Sequence, residues 1–350
     1  MIYLHGSSLS WPVMFKYFHF FLFTMKKFKV FITRNIPGPA IHLLKKYFTV
    51  KLYPKDNIIP RQQLLAGIKW CDALLCLLTD KIDQEAIDIN PNLKVISNYA
   101  VGYNNIDVAY ATKKGIPVCN TPSDIISDAV AEHTFAFIMA LAKRLHEDEE
   151  YVREHKWKSW APKLLLGTMV KDKTLGIIGL GRIGAGVVQR AACLGMKVIY
   201  YDVHRNKDFE HKFKAQYFPL KSILKTADFV SLHVPLLPST RHLIGKKELR
   251  LMKPTAYLIN TSRGRVVDEK ALILALQKKW IRGAGLDVYE TEPNVNHQLT
   301  ALHSVVLTPH TASATMEARL QMSKDAGENI VAILKGKKTA KIVNPEIYSK

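Results

Sequence analysis

Residues 173–195 read KTLGIIGLGRIGAGVVQRAACLG: an apolar run, then Gly179-Leu180-Gly181-Arg182-Ile183-Gly184, then a helix-forming segment. Glycines at GxGxxG spacing are a weak signal alone. Here they directly follow a predicted strand and open a predicted helix, the setting in which each has a task. The first permits a tight turn, the second lets a pyrophosphate approach the backbone, and the third lets helix and strand pack closely. The helix amino terminus adds amide donors and the positive end of its dipole. Gly179, Gly181, Arg182, Ile183 and Gly184 are therefore candidate cofactor contacts. The stretch begins halfway along a chain of 350 residues. Single cores rarely keep growing to that length, so another domain is expected ahead of it.

Towards the carboxyl terminus the strands TLGIIG, KVIYYD, FVSLHV, AYLINT, GAGLDV and SVVLTP alternate with helical patterns. Six parallel strands with the glycine motif on the first predict a doubly wound dinucleotide-binding (Rossmann) domain. Asp202 ends KVIYYD, at the roughly 20-residue spacing where a carboxylate accepts the ribose hydroxyls of NAD and repels a 2′-phosphate. His204 and Arg205 follow at once and could neutralise that phosphate. NAD is favoured, with NADP the alternative.

Towards the amino terminus FKVFIT, TVKLY, ALLCLL, LKVISNYA and IPVCNT also alternate with helical segments. This predicts a second α/β domain with a parallel sheet covered on both faces. The apolar helix SDIISDAVAEHTFAFIMALAKRL, with Ser123 and Asp124 as capping candidates, would cross between the domains, and a charged connector bearing Trp157 and Trp160 follows it. The closing segment TMEARLQMSKDAGENIVAILKG is helical with no strand after it, and would return to the first domain and make it discontinuous. The expected boundaries are 25–122 with 312–345 for a flavodoxin-like substrate domain and 123–311 for the dinucleotide-binding domain. A cleft is expected at the carboxyl ends of both sheets.

Composition narrows the class. With 48% hydrophobic and 23% charged residues the chain reads as an ordinary globular protein. Cys71, Cys76, Cys119 and Cys193 lie in apolar runs without metal-ligand spacing. Reduced core cysteines, a cytoplasmic location and no metal are expected. The net charge of +20 comes from lysines scattered through every segment, without interleaved aromatics. That argues against nucleic acid and membrane partners, and for a field that draws in small anions. The apolar run WPVMFKYFHFFLF at residues 11–23 is shorter than the roughly 20 residues of a bilayer span. Residues 1–24 are expected to be an extension outside the fold, with Met25 the natural start.

Three residues then form a pattern: Arg263 in INTSRGRVVDE, Glu292 in DVYETEP and His310 in LTPHTAS, each just beyond a predicted strand of one sheet. Reducing a 2-keto acid requires a proton donor, and histidine titrates near neutral pH. A carboxylate beside the ring stabilises its charged form. Arginine grips a substrate carboxylate through two oxygens better than lysine does. His310, Glu292 and Arg263 suit these catalytic roles.

With NYAVGYNNIDV, GIPVCNTP, GLGRIG, LHVPLLPSTRHLIG, LINTSRGRVVDEKAL, GAGLDVYETEP and TPHTAS in order, the sequence from about Lys26 to Pro345 resembles the D-isomer-specific 2-hydroxyacid dehydrogenases, especially the glyoxylate and hydroxypyruvate reductase branch. The resemblance implies NAD(P)H-dependent reduction of a small 2-keto acid. It gives Arg263 the substrate carboxylate and carbonyl, Glu292 the partnership with histidine and His310 the proton. It implies backbone amides at Val101 and Gly102 for the substrate carboxylate. Cofactor contacts are implied at Val234, Pro235, Thr240 and Thr261, with Asp287 on the nicotinamide amide. It places Trp157 and Trp160 in a connector that can lie near a neighbouring subunit's active site; ordinary aromatic packing is the alternative. A homodimer is expected, with HTFAFIMALAKRL the candidate interface. Competing readings are 3-phosphoglycerate dehydrogenase activity and a non-catalytic NAD(H)-sensing protein like the corepressors built on this scaffold.

Overall fold

The computed structural model describes residues 27–349; the apolar run at 11–23 and the expected start at Met25 lie outside them. The described chain forms two compact units, one running up to Thr121 and resuming at Ser323, the other Pro122–Met322. The second boundary falls inside the helix Met316–Leu334.

The first unit contains β1 (Lys29–Ile32), β2 (Thr49–Leu52), β3 (Ala73–Cys76), β4 (Val95–Asn98) and β5 (Val118–Cys119). All pair in parallel, in the order β2-β1-β3-β4-β5. This is the flavodoxin-like doubly wound order. β3 and β4 are buried at every position. Helices cover both faces of a parallel sheet, so its central strands lose the alternation of a half-exposed one. Leu74, Leu75 and Ile96 are fully buried, each contributing about 1.5–3 kcal/mol.

The returning segment is tied into this unit by polar contacts. Ser323 Oγ accepts from the Ala40 amide at 3.1 Å, and Ser97 Oγ donates to the Ala326 carbonyl at 3.0 Å. Asn344 accepts from the Val118 amide at 2.8 Å and donates to the Ile116 carbonyl at 3.0 Å.

The second unit contains β6 (Thr174–Ile178), β7 (Lys197–Tyr201), β8 (Gln216–Tyr217), β9 (Phe229–Leu232), β10 (Tyr257–Asn260), β11 (Gly283–Leu286) and β12 (Val305–Leu307). The order is β12-β11-β10-β9-β6-β7-β8, all parallel. This is the Rossmann arrangement with one strand added beyond β11. It has seven strands where the sequence predicts six. The extra one is β8, whose two residues, Gln216 and Tyr217, form no apolar run that would mark a strand. Neighbouring side chains alternate between two apolar clusters, Ile178 and Leu258 in one and Ile177 and Ile259 in the other, as the pleat requires.

The helix Asp124–Lys143 starts where predicted, with Ser123 Oγ accepting from the Ile126 amide. It is long and apolar enough to cross a membrane, yet Ala131, Phe135, Phe137, Ile138 and Leu141 are buried against the sheet. It is a core helix of this unit. The connector after it is partly helical, Leu145–Arg153, with Arg144–Glu147 and Arg153–Glu149 pairs one turn apart. Trp157 and Trp160 are 60% and 81% exposed, so they do not pack into the chain.

Candidate active site

The glycine turn after β6 has the geometry a dinucleotide needs. Gly179 has φ +97°, and a Cβ there would lie 2.8 Å from the His233 backbone and 3.0 Å from Val234. A Cβ on Gly184 would meet the Gly179 carbonyl at 2.2 Å, whereas one on Gly181 would meet nothing within 4 Å. Two glycines thus close the turn and the middle one leaves room for a ligand. Gly181 caps the helix Arg182–Cys193, whose first residue, Arg182, is exposed, while Ile183 is half-buried. The contacts with His233 and Val234 place the turn where β6 meets β9, the point at which strand order reverses and cofactors bind. Asp202, just beyond β7, accepts from the Leu180 amide at 2.6 Å and the His204 amide at 3.2 Å. A carboxylate is therefore fixed beside the turn.

The other cofactor candidates differ in role. Thr240 Oγ donates to the Pro235 carbonyl at 2.6 Å and accepts from the Leu237 amide at 2.8 Å, which shapes the turn after Val234. Thr261 is buried, its hydroxyl 3.0 Å from that of Thr134. Asp287 is 1% exposed. One of its oxygens accepts from Thr308 Oγ (2.5 Å) and the Thr311 amide (2.7 Å), and the other from the Ala312 amide (2.8 Å). The structure thus puts its carboxylate on the loop that carries His310.

Arg263, Glu292 and His310 follow β10, β11 and β12, which are adjacent in the sheet. His310 Nδ1 lies 2.8 Å from Glu292 Oε2, and the other carboxylate oxygen accepts from the Tyr289 amide at 3.1 Å. Burial alone would raise the Glu292 carboxyl. The His310 hydrogen bond and charge, the Tyr289 amide and Arg263 outweigh it and hold the group below its usual range. The Arg263 pKa is lowered by burial, which Glu292 opposes; a guanidinium keeps its charge regardless.

Two backbone features bring these groups together. A Cβ on Gly264 would lie 1.9 Å from the Tyr289 backbone, so only glycine lets the Arg263 loop pack on the Glu292 loop. His310 has a left-handed backbone, φ +57°, a conformation that costs on the order of 1 kcal/mol and persists only where its surroundings impose it. Its amide donates to the Asp287 carbonyl at 2.9 Å, and the Asp287 carboxylate holds the two amides that follow.

In the other unit, the turn at Val101 and Gly102 follows β4. The Val101 carbonyl accepts from Asn120 Nδ2 at 2.7 Å and the Gly102 carbonyl from Asn98 Nδ2 at 2.8 Å. In a trans peptide the amide points opposite to the carbonyl, so these contacts also orient the Gly102 and Tyr103 amides.

Sequence reasoning missed Asn98, Asn120, His133 and Thr308. Asn98 was findable as the polar end of a buried strand. His133 Nε2 meets Thr308 Oγ at 3.0 Å across the fold, which no local pattern signals.

Comparison with known proteins gives the family. Residues 135–312 match the family described as D-isomer specific 2-hydroxyacid dehydrogenase, NAD binding domain. The chain is 48% identical over 325 residues to the glyoxylate reductase of Thermococcus litoralis, covering 92% of this chain and 98% of that one. The crystal structure of D-lactate dehydrogenase from Aquifex aeolicus with NAD and lactic acid is similar at TM-score 0.79 and 32% identity, covering 90% of this chain and 98% of that chain. A glyoxylate reductase from Paecilomyes thermophila is similar at TM-score 0.82 and 30% identity, covering 92% and 100%. The family match and these relatives identify an NAD(P)-dependent oxidoreductase. This chain belongs to the D-isomer-specific 2-hydroxyacid dehydrogenase family, and its chemistry is NAD(P)H-dependent reduction of a keto acid.

Proposed function

We propose that this protein is a cytoplasmic, homodimeric reductase that converts a small 2-keto acid, glyoxylate or hydroxypyruvate before larger ones, to the D-2-hydroxy acid with NADH. The observation that carries the reading is the 2.8 Å contact between His310 and Glu292, with Arg263 close enough to act on the same carboxylate. Glyoxylate reductases among the relatives support the substrate choice.

The glycine turn and Asp202 fit a dinucleotide that, when bound, supplies hydride to the substrate's C2. His310 Nδ1 faces Glu292, which makes Nε2 the atom that donates a proton to the carbonyl oxygen as the alcohol forms. Glu292 keeps the ring in orientation through its contact with Nδ1. Arg263 holds the substrate carboxylate. In the other unit, the oriented amides after Val101 and Gly102 are donors of the kind a carboxylate accepts from.

Oxidation of NADH and of NADPH with glyoxylate, hydroxypyruvate, pyruvate, phenylpyruvate and 3-phosphohydroxypyruvate tests the reading. Fastest turnover is expected with the two smallest polar acids. His310→Ala should lower kcat by roughly 10²- to 10⁴-fold with NADH affinity retained. Arg263→Ala should raise KM for the acid, and Arg263→Lys should restore little of it. Near-wild-type kcat/KM for either alanine variant removes that residue from the mechanism, and no turnover across the panel refutes the reductase. Sedimentation as a monomer at micromolar concentration refutes the dimer.

A further inference from the structure

The adenosine side of the dinucleotide site contains a contact that neither the glycines nor Asp202 account for. Asp202, His204, Arg205, Lys207 and Asp208 are among the residues that line a cavity of about 470 Å³. Arg205 is the group a 2′-phosphate there would recruit, since a planar guanidinium takes two oxygens at once. It is already engaged in that manner. Its Nε donates to Glu210 Oε1 and its Nη2 to Glu210 Oε2, both at 2.8 Å. Its guanidinium carbon lies 5.7 Å from the centre of the Tyr217 ring on β8. Glu210 is anchored in turn: Tyr200, buried in β7, donates its hydroxyl to Glu210 Oε1 at 2.8 Å and accepts from the Asn206 amide at 2.9 Å. The pair is thus held by the sheet beneath it.

We propose that Glu210 is a specificity-determining residue for the cofactor: by occupying Arg205 through both oxygens it withholds the guanidinium that would grip a 2′-phosphate through two oxygens. Asp202 repels the phosphate directly, and Glu210 acts by removing the phosphate's partner. Selection of NAD over NADP therefore draws on Asp202, just beyond β7, and on Glu210, in the helix Lys207–Phe213. The inference depends on the reading of Asp202 as the ribose acceptor.

Calorimetric titration of the full-length protein with NAD⁺ and with NADP⁺ tests this without relying on turnover. Glu210→Gln should tighten NADP⁺ by roughly tenfold, the scale of a released charge-assisted contact, while NAD⁺ stays within about twofold. Adding Arg205→Ala should abolish the gain. Arg205→Ala alone should change neither dissociation constant by more than about twofold. An equal effect of Glu210→Gln on both dinucleotides, or a gain that survives loss of Arg205, overturns the proposal while leaving the cofactor reading intact. A severalfold loss of NADP⁺ affinity in Arg205→Ala alone overturns it too, and serves if Glu210→Gln does not fold. Failure of the unsubstituted protein to bind either dinucleotide overturns the underlying reading as well.

Discussion

His233 lies just after β9, with Nε2 2.9 Å from Ser231 Oγ, and burial pushes its imidazole down to about 3. The unfolded chain would take up that proton near pH 6.5, whereas the native ring stays neutral. The resulting stability is fully present above about pH 6.5 and is lost as pH falls from there towards 3. Melting temperature should decline through that window, and His233→Gln should flatten the decline. An unchanged slope in the variant would show that other groups set the acid sensitivity. Residues of this kind differ in how openly they declare themselves. Arg263, Glu292 and His310 were legible because each is a reactive type placed just after a strand. The grip of Asp287 on the His310 loop was not, because a carboxylate facing amides looks in sequence like one facing a ligand.

Among the elements, the segment Thr308–Ala312 matters most, since it holds His310 in a left-handed conformation. Thr308 Oγ joins Asp287 at 2.5 Å to His133 at 3.0 Å, and so couples the helix Asp124–Lys143 to the segment. Thr308→Val should lower stability by about 1–2 kcal/mol and kcat by roughly tenfold, a barrier increase of about 1.4 kcal/mol. NADH affinity should be preserved. A melting curve with steady-state kinetics decides it: an unchanged kcat would mean that Asp287 and the backbone alone set the turn. Every strand of three or more residues was legible in the sequence, and so was β5, whose two residues lie in IPVCNT. β8 was hidden because its residues, Gln216 and Tyr217, form no apolar run, although Tyr217 is the ring against which Arg205 lies.

For the whole molecule, a net charge of +20 and a sequence pI near 9.6 predict a field that speeds the approach of carboxylate substrates. kcat/KM for glyoxylate should fall severalfold between about 20 and about 300 mM salt, because the screening length shrinks over that range, with kcat nearly constant. A salt-independent kcat/KM would show that the lysines serve solubility alone.

The amino-acid sequence by itself determined the alternation of strands and helices, the glycine turn and its helix, the acidic end of β7 and the three reactive residues after β10, β11 and β12. Each of these depends on residue type at short range, where periodicity and spacing carry the physics. Tertiary structure decided which polar groups meet: Glu210 on Arg205, Asp287 on the His310 loop, His133 on Thr308, and Asn98 and Asn120 on the carbonyls of the Val101–Gly102 turn. Such contacts follow from the directions in which folded strands and loops point their side chains, and a hydrogen bond's partner is set by that geometry rather than by its distance along the chain.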